Sequence, residues 1–184
     1  HAPRILETFR FQAAENPVYK KYLDFLQCNP KAIAGLDQIP FMPIEFFKTH
    51  RVVTGPGTEK RIFQSSGTTG SQTSHHYILD DELYIDSLES GFKWFFGDPS
   101  SFCFLALLPS YLERQNSSLV FMMDHLIRQS HHPMSGFYLH NLSDLSQNLK
   151  ILEQTEQKTM LIGVSFALLD LAEQYPMPLK HTLV

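Results

Sequence analysis

Phe102-Cys103-Phe104-Leu105-Ala106-Leu107-Leu108-Pro109 is an apolar run with no polar alternation, closed by a proline. A strand covered on one face only would alternate, so this run predicts a strand buried on both faces, as in a parallel sheet with helices above and below. Its surroundings agree with that reading. Upstream, Asp81 to Phe96 places Tyr84, Leu88, Phe92 and Phe95 on one helical face, with Asp80 as an N-cap and Gly97 as a stop. Downstream, Ser117 to Gln129 repeats the pattern with Ser117 as cap, and Leu142 to Gln157 forms a third helix. Thr159 to Val164 gives another short apolar strand, and Phe166 to Gln174 a last helix capped by Ser165. Two further strands are expected at Arg61 to Gln64 and His75 to Leu79. From Lys60 onward the alternation of short β-prone and longer amphipathic segments predicts an α/β fold, a mostly parallel sheet with crossover helices.

The region before Lys60 reads differently. Leu6, Phe9 and Ala13, then Val18, Tyr22 and Phe25, describe two helices broken at Asn16-Pro17. Pro40 and Pro43 delay any regular element until a short helix after Pro43, followed by an extended stretch at Arg51 to Thr54 and a turn at Gly55-Pro56-Gly57. The expected division is a helical segment and linker over 1–54 and an α/β subdomain over 55–184.

Composition narrows the function. The chain has 184 residues, 43% of them hydrophobic and 18% charged, which suits one globular domain or a lobe of a larger one. With 15 Lys and Arg against 19 Asp and Glu there is no basic excess to displace phosphate counterions, so nucleic acid is not an expected partner. Two cysteines, Cys28 and Cys103, supply neither a disulfide framework nor a zinc site, and no apolar run is long enough to span a bilayer. A cytoplasmic location is the expectation. The chain starts at His1 without an initiator Met, which suggests a trimmed sequence.

Ser65-Ser66-Gly67-Thr68-Thr69-Gly70-Ser71 carries the most chemical information. Seven residues of Ser, Thr and Gly alone can turn successive N–H groups into a concavity and add hydroxyl donors without bulk, which suits phosphate oxygens. A polar linker is the plainer alternative. The run is not a Walker A loop, because no lysine stands in that register. His75-His76 and His131-His132 lack metal-site spacing, since neighbours on a strand point to opposite faces. Gly163-Val164-Ser165-Phe166-Ala167 comes near the Gly-x-Ser-x-Gly nucleophile elbow, so a serine acyltransferase or hydrolase using Ser165 with Asp170 and His181 is a rival reading.

With these segments the chain resembles the adenylate-forming superfamily of acyl-CoA synthetases. It is most similar to the phenylacetate-CoA ligases and the acyl-protein synthetases of bacterial bioluminescence. The resemblance rests on Ser65 to Gly70 together with Pro17-Val18-Tyr19-Lys20-Lys21-Tyr22-Leu23, Ile39-Pro40-Phe41-Met42-Pro43, Leu107 to Arg114 and Leu161 to Leu169. It implies the amino-terminal part of an adenylating domain. It also implies ATP and Mg²⁺ as cofactors, a carboxylic acid as substrate, and coenzyme A or an acyl-carrying protein as thiol acceptor.

By the same resemblance Ser65, Ser66, Gly67, Thr68, Thr69 and Gly70 would hold the β- and γ-phosphates. Tyr111 would line the acyl and α-phosphate site, and Ser110, Ser165 and Phe166 would flank the carboxylate pocket. Many members follow the loop with Pro-Lys, whereas Gln72-Thr73-Ser74-His75 stands here, so charge compensation would fall to the metal, Arg61 or a protonated His75. That departure leaves a non-catalytic relative, binding an acyl group or a partner, as an alternative. The family's Tyr-Gly-x-Thr-Glu-like loop, ribose-binding Asp and mobile lysine have no counterpart up to Val184, so these residues alone are expected to bind nucleotide weakly and not to turn over.

Overall fold

The structure is a computed structural model that describes residues 2–65, 72–109 and 115–184. Its contacts divide the chain into two units, His1–Asp81 and Glu82–Val184.

In the first unit, α1 (Ala2–Glu15) and α2 (Pro17–Phe25) meet at Asn16. The Asn16 side-chain oxygen accepts the N–H groups of Val18 and Tyr19, each at 3.1 Å, and Pro17 at the first helical position gives up no hydrogen bond the helix could use. This break resets the helical phase. The buried set on α2 is therefore Tyr19 and Leu23, not the expected stripe of Val18, Tyr22 and Phe25, and Phe25 stands 84% exposed. Phe9 and Ala13 of α1 close against Tyr19, Leu23 and Ile39. Two 3-10 turns, Pro30–Ala32 and Leu36–Gln38, precede the short helix α3 (Phe46–Thr49), and Gly55 and Gly57 take positive φ in the turn expected there.

β1 (Arg61–Gln64) and β2 (His75–Ile78) then pair antiparallel in a sheet of their own, with Gln64 opposite His75. Here the pattern read from Lys60 onward is corrected. Parallel neighbours need a crossover of about a dozen residues or more, usually helical. The ten residues between these strands, 65–74, are too few for one, so the strands pair antiparallel instead.

The second unit is the α/β fold expected. α4 (Asp81–Phe96) ends at Gly97, whose φ of +93° suits the left-handed stop. Then follow β3 (Cys103–Leu107), α5 (Ser118–Ser130), β4 (Gly136–Phe137), α6 (Leu142–Gln154), β5 (Thr159–Gly163), α7 (Ser165–Gln174) and β6 (Thr182–Leu183). Among the described residues these strands form one parallel sheet in the order β4-β3-β5-β6. All five residues of β3 are fully buried. Cys103, Leu105 and Leu107 face Leu145 and Leu149 of α6 and Leu171 of α7, while Phe104 and Ala106 face Phe92 of α4 and Met123 and Leu126 of α5. Alternate side chains of one strand thus feed two cores, each large one stabilising the fold by about 1.5–3 kcal/mol.

Two helix boundaries differ from expectation. α6 stops at Gln154 instead of Gln157 because Glu156 takes φ +55°, a left-handed conformation a helix cannot continue through. α7 begins at Ser165 itself, with Val164 in the cap position and no side-chain cap bond, so Ser165 is not the cap expected of it.

Candidate functional site

Two regions carry the residues singled out by sequence. The first is the hairpin of the amino-terminal unit. Phe63, 4% exposed, anchors β1 from below. At the hairpin base the Ser65 N–H donates to the Ser74 carbonyl (3.1 Å), and the Ser74 N–H donates back to the Ser65 hydroxyl (3.0 Å). Gln64 Nε2 and His75 Nε2 lie 3.2 Å apart across the same pair of strands. Ser65 is thus held at one foot of the loop and His75 at the other. Ser66, Gly67, Thr68, Thr69 and Gly70 lie outside the described residues.

The downstream leg is tied to the preceding chain. Gln72 Nε2 donates to the Lys48 carbonyl (2.7 Å), and His76 stacks on Phe47 with ring centroids 4.8 Å apart. On the opposite face of β2, His75 stacks on Tyr77, which the Arg51 guanidinium covers at 5.5 Å. Arg51 in turn bonds Glu59 (2.6 Å), and that hydrogen bond holds the Glu59 carboxyl below its ordinary range. Arg61, a possible substitute for the missing lysine, is engaged by Asp81 (2.8 Å). Its charge is therefore already opposed by a carboxylate.

The second region is the carboxyl end of the parallel sheet. β3 and β5 are neighbours, with Leu107 opposite Gly163. From β3 the chain proceeds through α5 to β4 on one side, and from β5 through α7 to β6 on the other. Connections that leave adjacent strands in opposite directions open a crevice at the strands' carboxyl ends, where open α/β sheets bind ligands. Gly163 lets this junction close up, because a Cβ there would stand 3.0 Å from both Leu107 Cβ and Leu168 Cγ. That close approach explains the glycine without any nucleophile elbow.

Ser165 and Phe166 sit at this end of β5, both exposed, Phe166 at 67%. The hydroxyl of Ser165 forms no hydrogen bond with Asp170 or His181 among the described residues. The His181 N–H is committed to the Glu153 carboxylate (3.1 Å), and its carbonyl to the Thr159 N–H (3.1 Å). Ser110 and Tyr111, expected at the adjacent end of β3, lie outside the described residues. Past them, Ser117 caps α5 as expected, its hydroxyl accepting the Val120 N–H at 3.3 Å.

Tyr138, just beyond β4 at the same end of the sheet, was not singled out by sequence. Burial pushes its phenol above the usual value, while its O–H donates to the Met134 carbonyl (2.7 Å) and accepts from Asn148 (3.0 Å). At the opposite end of β3, burial raises the Cys103 thiol to about 11, so it stays protonated and inert at neutral pH. Gln64 and Gln72 were also passed over, because a neutral amide leaves no pattern in sequence until a partner is seen.

Among the described residues no group of three or more His, Cys, Asp or Glu side chains is arranged to hold a metal ion, and no helix is long and apolar enough to cross a membrane. Comparison with protein families, with curated proteins and with solved structures found no match to this chain.

Proposed function

We propose that this chain takes part in ATP-dependent carboxylate activation. A carboxylate oxygen attacks the α-phosphorus of ATP and the bond to pyrophosphate breaks, giving acyl-AMP; a thiol of coenzyme A or of a protein cysteine then attacks the acyl carbon and AMP leaves. The observation that carries the reading is the hairpin base, where Ser65 and Ser74 pair across a connection whose first seven residues, 65–71, are Ser, Thr and Gly alone. Pinned ends favour a cradle over a slack linker, because a preorganised set of donors needs no reordering when charge arrives. In this reading Ser65, Ser66, Gly67, Thr68, Thr69 and Gly70 grip the β- and γ-phosphates, and His75 stands at the loop's foot. Mg²⁺ would arrive bound to the phosphates it neutralises, since Ser65, Gln64 and His75 at the hairpin base offer no carboxylate to hold it. In this reading Ser165 and Phe166, at the carboxyl end of β5, would flank the organic acid, together with Ser110 and Tyr111 as the resemblance implies.

One observation favours a second reading, a non-catalytic relative that binds an acyl group. The loop is followed by Gln72 where a lysine would serve catalysis, and Gln72 is spent on the Lys48 carbonyl. Acid-dependent pyrophosphate–ATP exchange by the full-length protein separates the two. Under the activation reading, Thr68→Phe and Thr69→Phe lower exchange by about 10²-fold or more, as expected when transition-state donors are displaced. Exchange indifferent to both substitutions overturns the proposed role of the loop. Absence of exchange with every acid tried, and of fluorophosphonate labelling at Ser165, favours the binding protein; labelling at Ser165 favours the hydrolase.

A further inference from the structure

The amino-terminal unit contains a cavity of about 390 Å³ between α1, the start of α2 and residues 39–42, a size that suits a small organic ligand. Its floor is apolar and buried: Phe9, Tyr19 and Ile39 are each 9% exposed or less. Its rim is apolar and wet, with Ile5 44% and Phe41 78% exposed. An apolar body of modest length fits such a space.

The polar groups at the cavity say what the head of that ligand must be. The Thr8 hydroxyl donates to the Arg4 carbonyl, and the Tyr19 hydroxyl donates to the Pro40 carbonyl. Asn16 is spent on the α2 cap, Gln12 and Thr54. Gln12 accepts at Oε1 from both Asn16 (3.3 Å) and Thr54 (2.6 Å), which fixes its amide and leaves Nε2 as a donor with no partner among the described residues. The Arg4 guanidinium likewise has no acidic partner among the described residues. Among the described residues no acidic side chain lines the cavity. With both hydroxyl hydrogens spent, Thr8 and Tyr19 can still accept, but the free donors at the cavity are Gln12 Nε2 and the Arg4 guanidinium, and the one charged group among its described lining residues is a cation, on a chain whose formal net charge is −4.

We infer that this cavity binds a medium-chain alkyl carboxylate, its tail over Phe9, Tyr19 and Ile39 and its head on Arg4 and Gln12 Nε2. A single cation matches a monoanion and is poor recognition for a phosphate, and a cationic amphiphile would find no counter-charge. The site belongs to the amino-terminal unit and does not depend on the proposed activation chemistry.

Titration calorimetry of the protein with decanoate, decanol and decyltrimethylammonium, each below its micelle concentration, tests this. One decanoate should bind per chain, about tenfold more tightly than decanol, with the ammonium weakest. Arg4→Ala should bring decanoate down to the affinity of decanol and leave decanol unchanged. Thr8→Phe, which fills the cavity from an exposed helix position, should abolish binding of both, with Ile5→Trp as a second block should the first variant unfold. Arg10→Ala, an exposed cation of α1 that does not line the cavity, should behave as the parent. Affinity indifferent to the headgroup, multiple weak sites, binding that survives both blocking variants, or equal losses in Arg4→Ala and Arg10→Ala would each overturn the inference.

Discussion

In the carboxy-terminal unit a single strand, β3, is sealed between helices on both faces, and nearly every large side chain it contributes is out of water. Among its described residues the amino-terminal unit has no such strand. Phe9, Ala13, Tyr19, Leu23 and Ile39 form its helical core, and beside them lies a polar knot in which Asn16 caps α2, bonds Gln12 and bonds Thr54 across a sequence separation of 38 residues. One unit is held by apolar area, the other in larger part by directed bonds. Apolar burial tolerates small displacements, whereas a hydrogen-bond knot loses most of its value when one member goes. The amino-terminal unit should therefore be the softer of the two.

The largest expected effect tests the apolar side of that contrast. Phe104 is fully buried and meets Phe92 edge-to-face at 5.5 Å and Phe102 at 5.9 Å. Phe104→Ala should cost about 3–5 kcal/mol through lost transfer energy and the cavity left behind. Peptide-resolved hydrogen exchange should show the loss across β3, α5 and β5, with amides of α1 and α2 little changed. Equal loosening of both units would mean that they unfold as one cooperative body, and the contrast would fail.

Asn16→Ala tests the other side and should cost about 2 kcal/mol. It removes the acceptor for the Val18 and Tyr19 N–H groups and strips Gln12 and Thr54 of a donor. Exchange should rise through α1, α2 and residues 51–55 first. Asn16→Asp keeps the cap acceptor and loses only the donor, so it should recover part of the stability. A variant in which Asp is no better than Ala would show that the contacts to Gln12 and Thr54, not the cap, hold this region.

How far these features could be read from sequence follows from the range of the forces involved. The Asn16-Pro17 break, the Gly97 stop and the Ser117 cap were legible because cap chemistry acts within a few residues. β3 was legible because covering both faces removes polar alternation altogether. The two-residue strands β4 and β6 were not, since their pairing is set by partners far away in sequence and they carry no periodicity of their own. Likewise β1 and β2 were placed as strands, but strand propensity does not say which sheet a strand joins. Of the candidate site, Ser65, His75, Ser165 and Phe166 were named from sequence, while the bonds that fix the loop's feet, from Ser74 and Gln72, were not. Those are single contacts between polar residues, and composition does not encode them.

The smallest effect concerns the edge of the parallel sheet, where the apolar unit borrows the other unit's device. Glu153 at the end of α6 accepts from the Lys180 N–H (2.8 Å), the His181 N–H (3.1 Å) and the Thr182 hydroxyl (2.7 Å), and so pins β6 to the sheet. Burial alone would raise this carboxyl, but the bonds from Thr182, Lys180 and His181 together outweigh it and leave the group below its ordinary value. A carboxyl depressed in the folded state contributes stability at pH above its unfolded value, about 4.3, and that contribution is lost as pH falls through the folded value. Glu153→Gln keeps one acceptor oxygen and turns an N–H toward donors, so it should cost about 1 kcal/mol at neutral pH. Because the amide does not titrate, the stability gap between parent and variant should be constant above about pH 5 and shrink as the solution is acidified below about pH 4. Denaturant titrations across that range read the gap directly. A gap that stays level into acid would show that β6 is held by its apolar residues and backbone pairing, and that charge at Glu153 has no part in closing the sheet.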